Sequence, residues 1–209
     1  MSVRVLIADD FRMSRTVFEQ AVEMSDKYEL VSSVESAEKA LDVLKTTQVD
    51  LCIMDVVMAK GQSGLAISAE IKKIYPFVRI LMVTSMPEVS FIERARQAGV
   101  DSFWYKEIQE QPILEIMDRT MAGESIYPDH APIVSIGNTV STDFTDREIA
   151  VLREITGGLS NQEIGEKLGI TERTVKMHIT NMLQKTGFRT RLELAVRART
   201  GGIVIPENE

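Results

Sequence analysis

The stretch Val3-Arg4-Val5-Leu6-Ile7-Ala8-Asp9-Asp10 is an apolar, β-branched run that ends in two adjacent carboxylates. A continuous apolar strand, rather than one alternating with polar residues, is what burial on both faces of a sheet requires. Comparable runs recur at Glu29–Val34, Asp50–Met54, Arg79–Val83 and Ser102–Trp104. Between them lie helical spacings: Val17, Phe18, Ala21, Val22; Ala37, Ala40, Leu41, Leu44; and Leu65, Ile67, Ile71, Ile74. Five strands alternating with five helices predict an α/β domain on a doubly wound, five-stranded parallel sheet. The pattern covers residues 1–122, with a last helix near Ile108–Met121 that Gly123 ends.

Residues 123–141 hold Pro128, Pro132, Gly137 and Asn138 without sustained periodicity and read as a linker. Residues 142–209 then read as a small all-α domain of four helices: Asp146–Thr156, Asn161–Leu168, Glu172–Lys185 and Arg191–Thr200. Thr145 with Glu148, and Ser160 with Glu163, have the spacing of capping boxes. Thr171 can cap the third helix, and Gly157, Gly169 and Gly187 stand where helices should end.

An apolar share of 44% and a charged share of 26% over 209 residues are ordinary for folded domains and exclude wholesale disorder. The first residues reach Asp9 and Asp10 too soon for a signal-peptide core, and no apolar run approaches a membrane span, so a soluble, cytoplasmic protein without membrane contact is expected. The single cysteine, Cys52, lies in an apolar run and reads as a buried small hydrophobe. The net charge of -7 argues against a generic nucleic-acid binder. That total hides an asymmetry: residues 142–209 carry ten charges of each sign, and Arg173 to Arg199 holds seven cations against one acid. A polyanion would bind there.

Parallel α/β sheets bind ligands at the carboxyl ends of their strands. Those ends carry Asp9 and Asp10, then Asp55, Thr84 and Lys106. Three carboxylates in one crevice repel one another unless a cation neutralises them, and all-oxygen ligands with room for water suit Mg²⁺. One carboxylate then remains to attack a phosphoryl group and form an aspartyl-phosphate. Lys106 and Thr84 would neutralise or hydrogen-bond the phosphoryl oxygens. A lone Asp at a strand end is usually a turn or cap residue, and a lone Lys a solvated charge; four strand ends supplying D-D, D, T and K in order is a far more specific signal.

These residues resemble the receiver domain of two-component response regulators, which is flavodoxin-like. The resemblance rests on Leu6-Ile7-Ala8-Asp9-Asp10, Ile53-Met54-Asp55-Val56-Val57-Met58, Met82-Val83-Thr84-Ser85 and Gly99-Val100-Asp101-Ser102-Phe103-Trp104-Tyr105-Lys106. It implies that Asp55 is the phosphoacceptor. It implies that Asp10, Asp55 and the carbonyl of Val57 bind Mg²⁺ while Asp9 assists through water, and that Thr84 and Phe103 form a switch pair. Two departures stand out: Ala59 and Glu107 occupy places where relatives often carry proline.

In the second half, two helices flank a tight turn containing Gly169, the helix-turn-helix arrangement. Within the second of them, Val175, Ile179, Met182 and Leu183 share one face, while Arg173, Lys176, Met177, Thr180 and Gln184 lie opposite. Such a face suits a major groove, with Arg173, Lys185, Arg189 and Arg191 on phosphates. A basic run alone more often marks a solvated face. The string Phe144-Thr145-Asp146-Arg147-Glu148, Gly158-Leu159-Ser160-Asn161-Gln162-Glu163-Ile164 and Leu168-Gly169-Ile170-Thr171-Glu172-Arg173-Thr174-Val175-Lys176-Met177-His178 resembles the LuxR-type helix-turn-helix. By position, Lys176, Met177 and Thr180 are implied to face bases, with Arg173 and Thr174 near phosphates. His178 lacks Cys or acidic partners at ligand spacing and is no metal candidate.

The two halves resemble the NarL/FixJ class of transcriptional regulators. That resemblance implies phosphorylation of Asp55 by a sensor histidine kinase, binding to promoter DNA, a homodimer on phosphorylation or on DNA, and RNA polymerase as a further partner. No turnover enzyme is expected beyond self-phosphorylation and self-dephosphorylation. A Mg²⁺-dependent phosphohydrolase would need an acid two places after its nucleophile, where Val57 stands. A dinucleotide binder would need a glycine fingerprint after the first strand, which is missing. A nearer alternative is a phosphorylation-independent regulator whose receiver serves as a dimerisation module.

Overall fold

The computed structural model describes residues 2–58, 63–106 and 112–205. It divides into two compact units, residues 1–85 with 90–130, and residues 131–208 with 86–89. In the first, β1 (Val3–Ala8), α1 (Arg12–Glu23), β2 (Tyr28–Val34), α2 (Ala37–Thr46), β3 (Leu51–Asp55), α3 (Gly64–Ile74), β4 (Arg79–Thr84), α4 (Phe91–Gln97), β5 (Ser102–Tyr105) and α5 (Ile113–Met121) follow one another. The five strands form one parallel sheet in the order β2-β1-β3-β4-β5.

Alternation along the strands explains their unbroken apolarity. Val5, Ile7, Leu51, Ile53, Leu81 and Val83 pack with Phe18 and Val22 of α1 and with Ile116 and Met117 of α5. Leu6, Cys52, Met54, Ile80 and Met82 alternate with these and are equally buried. Cys52 is thus a core residue, and burial pushes its thiol up to about 12. The α1 stripe is narrower than its spacing suggests: Phe18 and Val22 are buried while Val17 is exposed. Ile74, the last apolar residue of α3, is likewise exposed.

The stretch without periodicity is not uniformly irregular. Phe103 donates its backbone N–H to the carbonyl of Ile126, so the residues after α5 run beside the β5 edge. Farther on, β6 (Ser135–Ile136) and β7 (Thr139–Val140) form a short antiparallel hairpin. The helices α6 (Asp146–Thr156), α7 (Asn161–Leu168), α8 (Glu172–Thr186) and α9 (Arg191–Thr200) then enclose a core that includes Leu152, Ile164, Val175, Met182 and Leu194. Thr145 and Ser160 form their capping boxes with Glu148 and Glu163, and Thr171 caps α8. Gly169 ends α7 with φ 66°, a left-handed conformation that costs other residues more, and so sets the turn into α8. No helix among the described residues is long and apolar enough to cross a membrane.

Candidate functional site

Four of the five strands, β1, β3, β4 and β5, deliver the candidate residues at the same end of the sheet. β3 carries Asp55 as its last residue, paired in register with Val83, and β4 ends on Thr84, paired with Tyr105. Lys106 follows β5 and donates its backbone N–H to the Thr84 carbonyl at 2.9 Å. Carboxylate oxygens of Asp9, Asp10 and Asp55 lie within 4.8 Å of one another. Lys106 Nζ is 2.6 Å from Asp9 Oδ2 and 3.3 Å from Asp55 Oδ1. The longer contact lacks hydrogen-bond alignment, so Asp55 Oδ1 is buried without a donor aimed at it.

Asp9 is fully buried, Asp55 nearly so, and Thr84 is 1% exposed. The Asp9 carboxylate accepts from the Phe11 N–H, while its backbone carbonyl accepts from Arg15 Nη1. Burial drives the Asp55 carboxyl up to about 7; Lys106 opposes that rise, and Asp9 and Asp10 reinforce it. A carboxylate so raised, with no donor aligned on its buried Oδ1 although the Lys106 ammonium is 3.3 Å away, marks a cluster short of positive charge. Three clustered carboxylates with hard oxygen donors fit a divalent cation such as Mg²⁺.

One feature had no reading from the sequence alone. Gly64 opens α3 so close to β3 that a Cβ there would lie 1.8 Å from the Asp55 carbonyl oxygen. Only hydrogen fits, and the Gly64 N–H reaches the Val56 carbonyl at 3.0 Å. The signal available was Ser63 at a cap position followed by glycine rather than a better helix former. Ala59 and Glu107, the two departures from the receiver pattern, and residues 108–111 lie outside the described residues.

On α8 the expected division of faces is present. Val175, Ile179 and Met182 are buried and Leu183 half-buried, while Arg173, Lys176, Met177, Thr180 and Gln184 are exposed. Met177 is 52% exposed on this charged face. Lys176 pairs with Glu172 one turn earlier. Thr174 is half-buried, with its N–H donated to the Thr171 hydroxyl.

Two other cations are committed within the domain. Lys185 Nζ donates to Glu148 Oε2 at 2.7 Å and to the Asp143 carbonyl at 2.8 Å. Burial pushes the Glu148 carboxyl up, but Lys185 and Thr145 outweigh it and hold the group below its ordinary value. Arg191 bridges Asn161 Oδ1 and the Leu159 carbonyl, tying α9 to the start of α7. Arg189 is exposed, His178 half-buried and His130 exposed.

A family profile described as "Response regulator receiver domain" matches residues 5–118, and one described as "Bacterial regulatory proteins, luxR family" matches residues 142–198. The chain is 34% identical over 198 residues to a "Nitrate/nitrite response regulator protein homolog" of Haemophilus influenzae, covering 93% of this chain and 95% of that protein. It is 31% identical over 204 residues to the "Response regulator protein VraR" of Staphylococcus aureus, covering 95% and 97%. Among solved structures, two RcsB dimers bound to two parallel DNAs align with TM-score 0.64 at 16% identity, over 96% of this chain and 99% of that one. RcsB of Salmonella enterica serovar Typhimurium, bound to a promoter with a beryllofluoride phosphomimetic, aligns with TM-score 0.61 at 18% identity, over 93% and 96%. These last two are likenesses of fold. With both profiles matched in order and two relatives aligned along nearly the whole chain, the protein belongs to the two-component transcriptional response regulators of the NarL/FixJ class, a receiver joined to a LuxR-type helix-turn-helix.

Proposed function

We propose that Asp55 is the phosphoacceptor through which a sensor histidine kinase controls DNA binding by α8. The observation that carries this is the convergence of Asp9, Asp10, Asp55 and Lys106 at the carboxyl end of one parallel sheet. A carboxylate oxygen of Asp55 attacks the phosphorus of a phosphohistidine, the P–N bond breaks, and the imidazole leaves with the bonding pair. Asp10, Asp55 and the Val57 carbonyl would hold Mg²⁺, with Asp9 acting through water. The bound ion supplies neutralisation of the clustered carboxylates and of the phosphoryl oxygens. Lys106 contributes a second positive charge at the phosphoryl oxygens, and the Thr84 hydroxyl a hydrogen bond. Thr84 and Phe103 then shift as a pair and alter the surface around α4 and β5.

On the DNA side, Lys176, Met177 and Thr180 face base edges in the major groove, while Arg173 and Thr174 meet phosphates. Lys185 belongs to this set by position, although its ammonium is engaged by Glu148. One small domain makes few phosphate contacts, so a homodimer on promoter DNA is the expected binding form, within reach of RNA polymerase. The RcsB complex with dimers on DNA supports this by fold likeness. The decisive experiment is acetyl phosphate with Mg²⁺ followed by intact-mass measurement on wild type and Asp55→Asn. A mass increase of one phosphoryl group in the wild type alone is expected. An equal increase in the variant would refute the assignment. A phosphorylated protein that stays monomeric on operator DNA would refute the dimer.

A further inference from the structure

β5 is an edge strand, and edges expose backbone donors and acceptors that need covering. Three residues after α5 cover this one. Ser125 Oγ donates to the Asp101 carbonyl at 2.9 Å, and the Ile126 N–H donates to Ser102 Oγ at 3.2 Å. The Ile126 carbonyl accepts from the Phe103 N–H at 2.8 Å, and the Tyr127 hydroxyl donates to the Val100 carbonyl at 2.7 Å. Ile126 packs against the core on the α1 and α5 side of the sheet.

The Tyr127 ring meets the residue whose movement matters most. It stacks on Phe103 with centroids 6.3 Å apart and planes 24° from parallel. Its other partner is Arg96 of α4, whose guanidinium carbon stands 4.1 Å from the Tyr127 ring centroid. Phe103 is 1% exposed, and Tyr105 meets it edge-on at 5.1 Å. The Phe103 ring is therefore in contact with both Tyr105 and Tyr127. Rotating it away disrupts the Tyr127 stack.

We propose that Ser125–Tyr127 is a releasable strap that holds Phe103 in its resting position and leaves β5 when Phe103 turns. This rests on the reading of Thr84 and Phe103 as the pair that answers phosphorylation of Asp55. The strap is small enough for such a switch to dislodge: four hydrogen bonds, the Phe103 stack, the Arg96 contact and the packing of Ile126 fix three residues. It also follows the turn at residues 122–124 that closes α5, so its release adds three residues, roughly 10 Å of reach, to the tether that leads to the DNA-binding domain.

Hydrogen exchange on the full chain tests this, read by mass spectrometry in peptides covering residues 100–106 and 124–130. Beryllofluoride with Mg²⁺ is expected to speed exchange in both peptides about tenfold in the wild type. Tyr127→Ala should show that faster exchange without any phosphomimetic, whereas Tyr127→Phe, which keeps the ring, should stay within about threefold of wild type. A parallel intact-mass measurement after acetyl phosphate separates the outcomes. If the wild type gains a phosphoryl group yet neither peptide changes, the strap is refuted while the phosphoacceptor stands. Wild-type protection in Tyr127→Ala also refutes the strap. If no phosphoryl group is gained, the phosphoacceptor reading fails and takes the strap's trigger with it.

Discussion

Lys106 stands 2.6 Å from a carboxylate oxygen of Asp9 and farther, at 3.3 Å, from Asp55. The lysine is thus anchored on a residue not expected to react, which keeps its charge beside Asp55, the proposed phosphoacceptor, without closing over it. Asp9 is fully buried and the Lys106 side chain is 14% exposed, so the pair is largely withdrawn from water. Removing one partner of such a pair strands the other. Lys106→Met is therefore expected to lower stability at pH 7.5 by roughly 3 kcal/mol in urea unfolding, with part of the loss recovered by Mg²⁺. A loss below about 0.5 kcal/mol would mean the pair is solvated.

Asp55 makes a prediction with a definite sign. Its folded-state value lies near 7 against an ordinary 3.8, so the folded chain resists ionising it. The protein is then destabilised progressively as pH rises from about 4 to about 7, and by a constant amount above that. Asp55→Asn removes the penalty. In chelator it should exceed wild type by roughly 1–3 kcal/mol at pH 7.5 and match it near pH 4. Mg²⁺ should raise the wild-type Tm and leave that of the variant almost unchanged. Thermal melts at the two pH values, with and without the metal, check both statements.

Gly64 supplies a test of how the pocket floor is built. With 1.8 Å between an added Cβ and the Asp55 carbonyl oxygen, α3 must move off β3 or the strand end must bend. Gly64→Ala should cost about 2–4 kcal/mol in urea unfolding despite the better helix propensity of alanine. Stabilisation would show that the helix start can shift freely.

Much of this was legible in the sequence because its signals are local. The strand runs, the helix bounds of the second domain and the capping boxes all depend on residues within one or two turns. The strand ends show where a local rule stops: Asp55, Thr84 and Tyr105 each extend a strand by one residue beyond its apolar run, since backbone pairing continues after the apolar pattern breaks. Tyr127 sits in a stretch without periodicity, and its partners Phe103, Arg96 and Val100 are 24 to 31 positions away. Gly64 has meaning only against a neighbouring strand. A cation's partner, likewise, can be anywhere in the chain.

Lys185 makes that limit measurable. It lies in the basic segment that includes α8, the proposed DNA-contacting helix, yet it spans to Glu148, 37 residues earlier, whose side chain is 4% exposed. A cation that neutralises a phosphate releases counterions, so its removal flattens the salt dependence of DNA binding. Arg173→Gln, on the exposed face, should reduce the slope of log affinity against log salt by about 1, uniformly across sequences. Lys176→Ala should cost about 1–3 kcal/mol and relax specificity at one base position. Lys185→Met should instead leave the buried Glu148 with only its Thr145 hydrogen bonds and no counter-charge, lowering stability by about 1–3 kcal/mol while the salt slope is unchanged. Fluorescence anisotropy across a salt series, with urea unfolding of the same proteins, separates the two roles. A slope that falls for Lys185→Met as it does for Arg173→Gln would return Lys185 to the phosphate-binding set and make its contact with Glu148 one that DNA displaces.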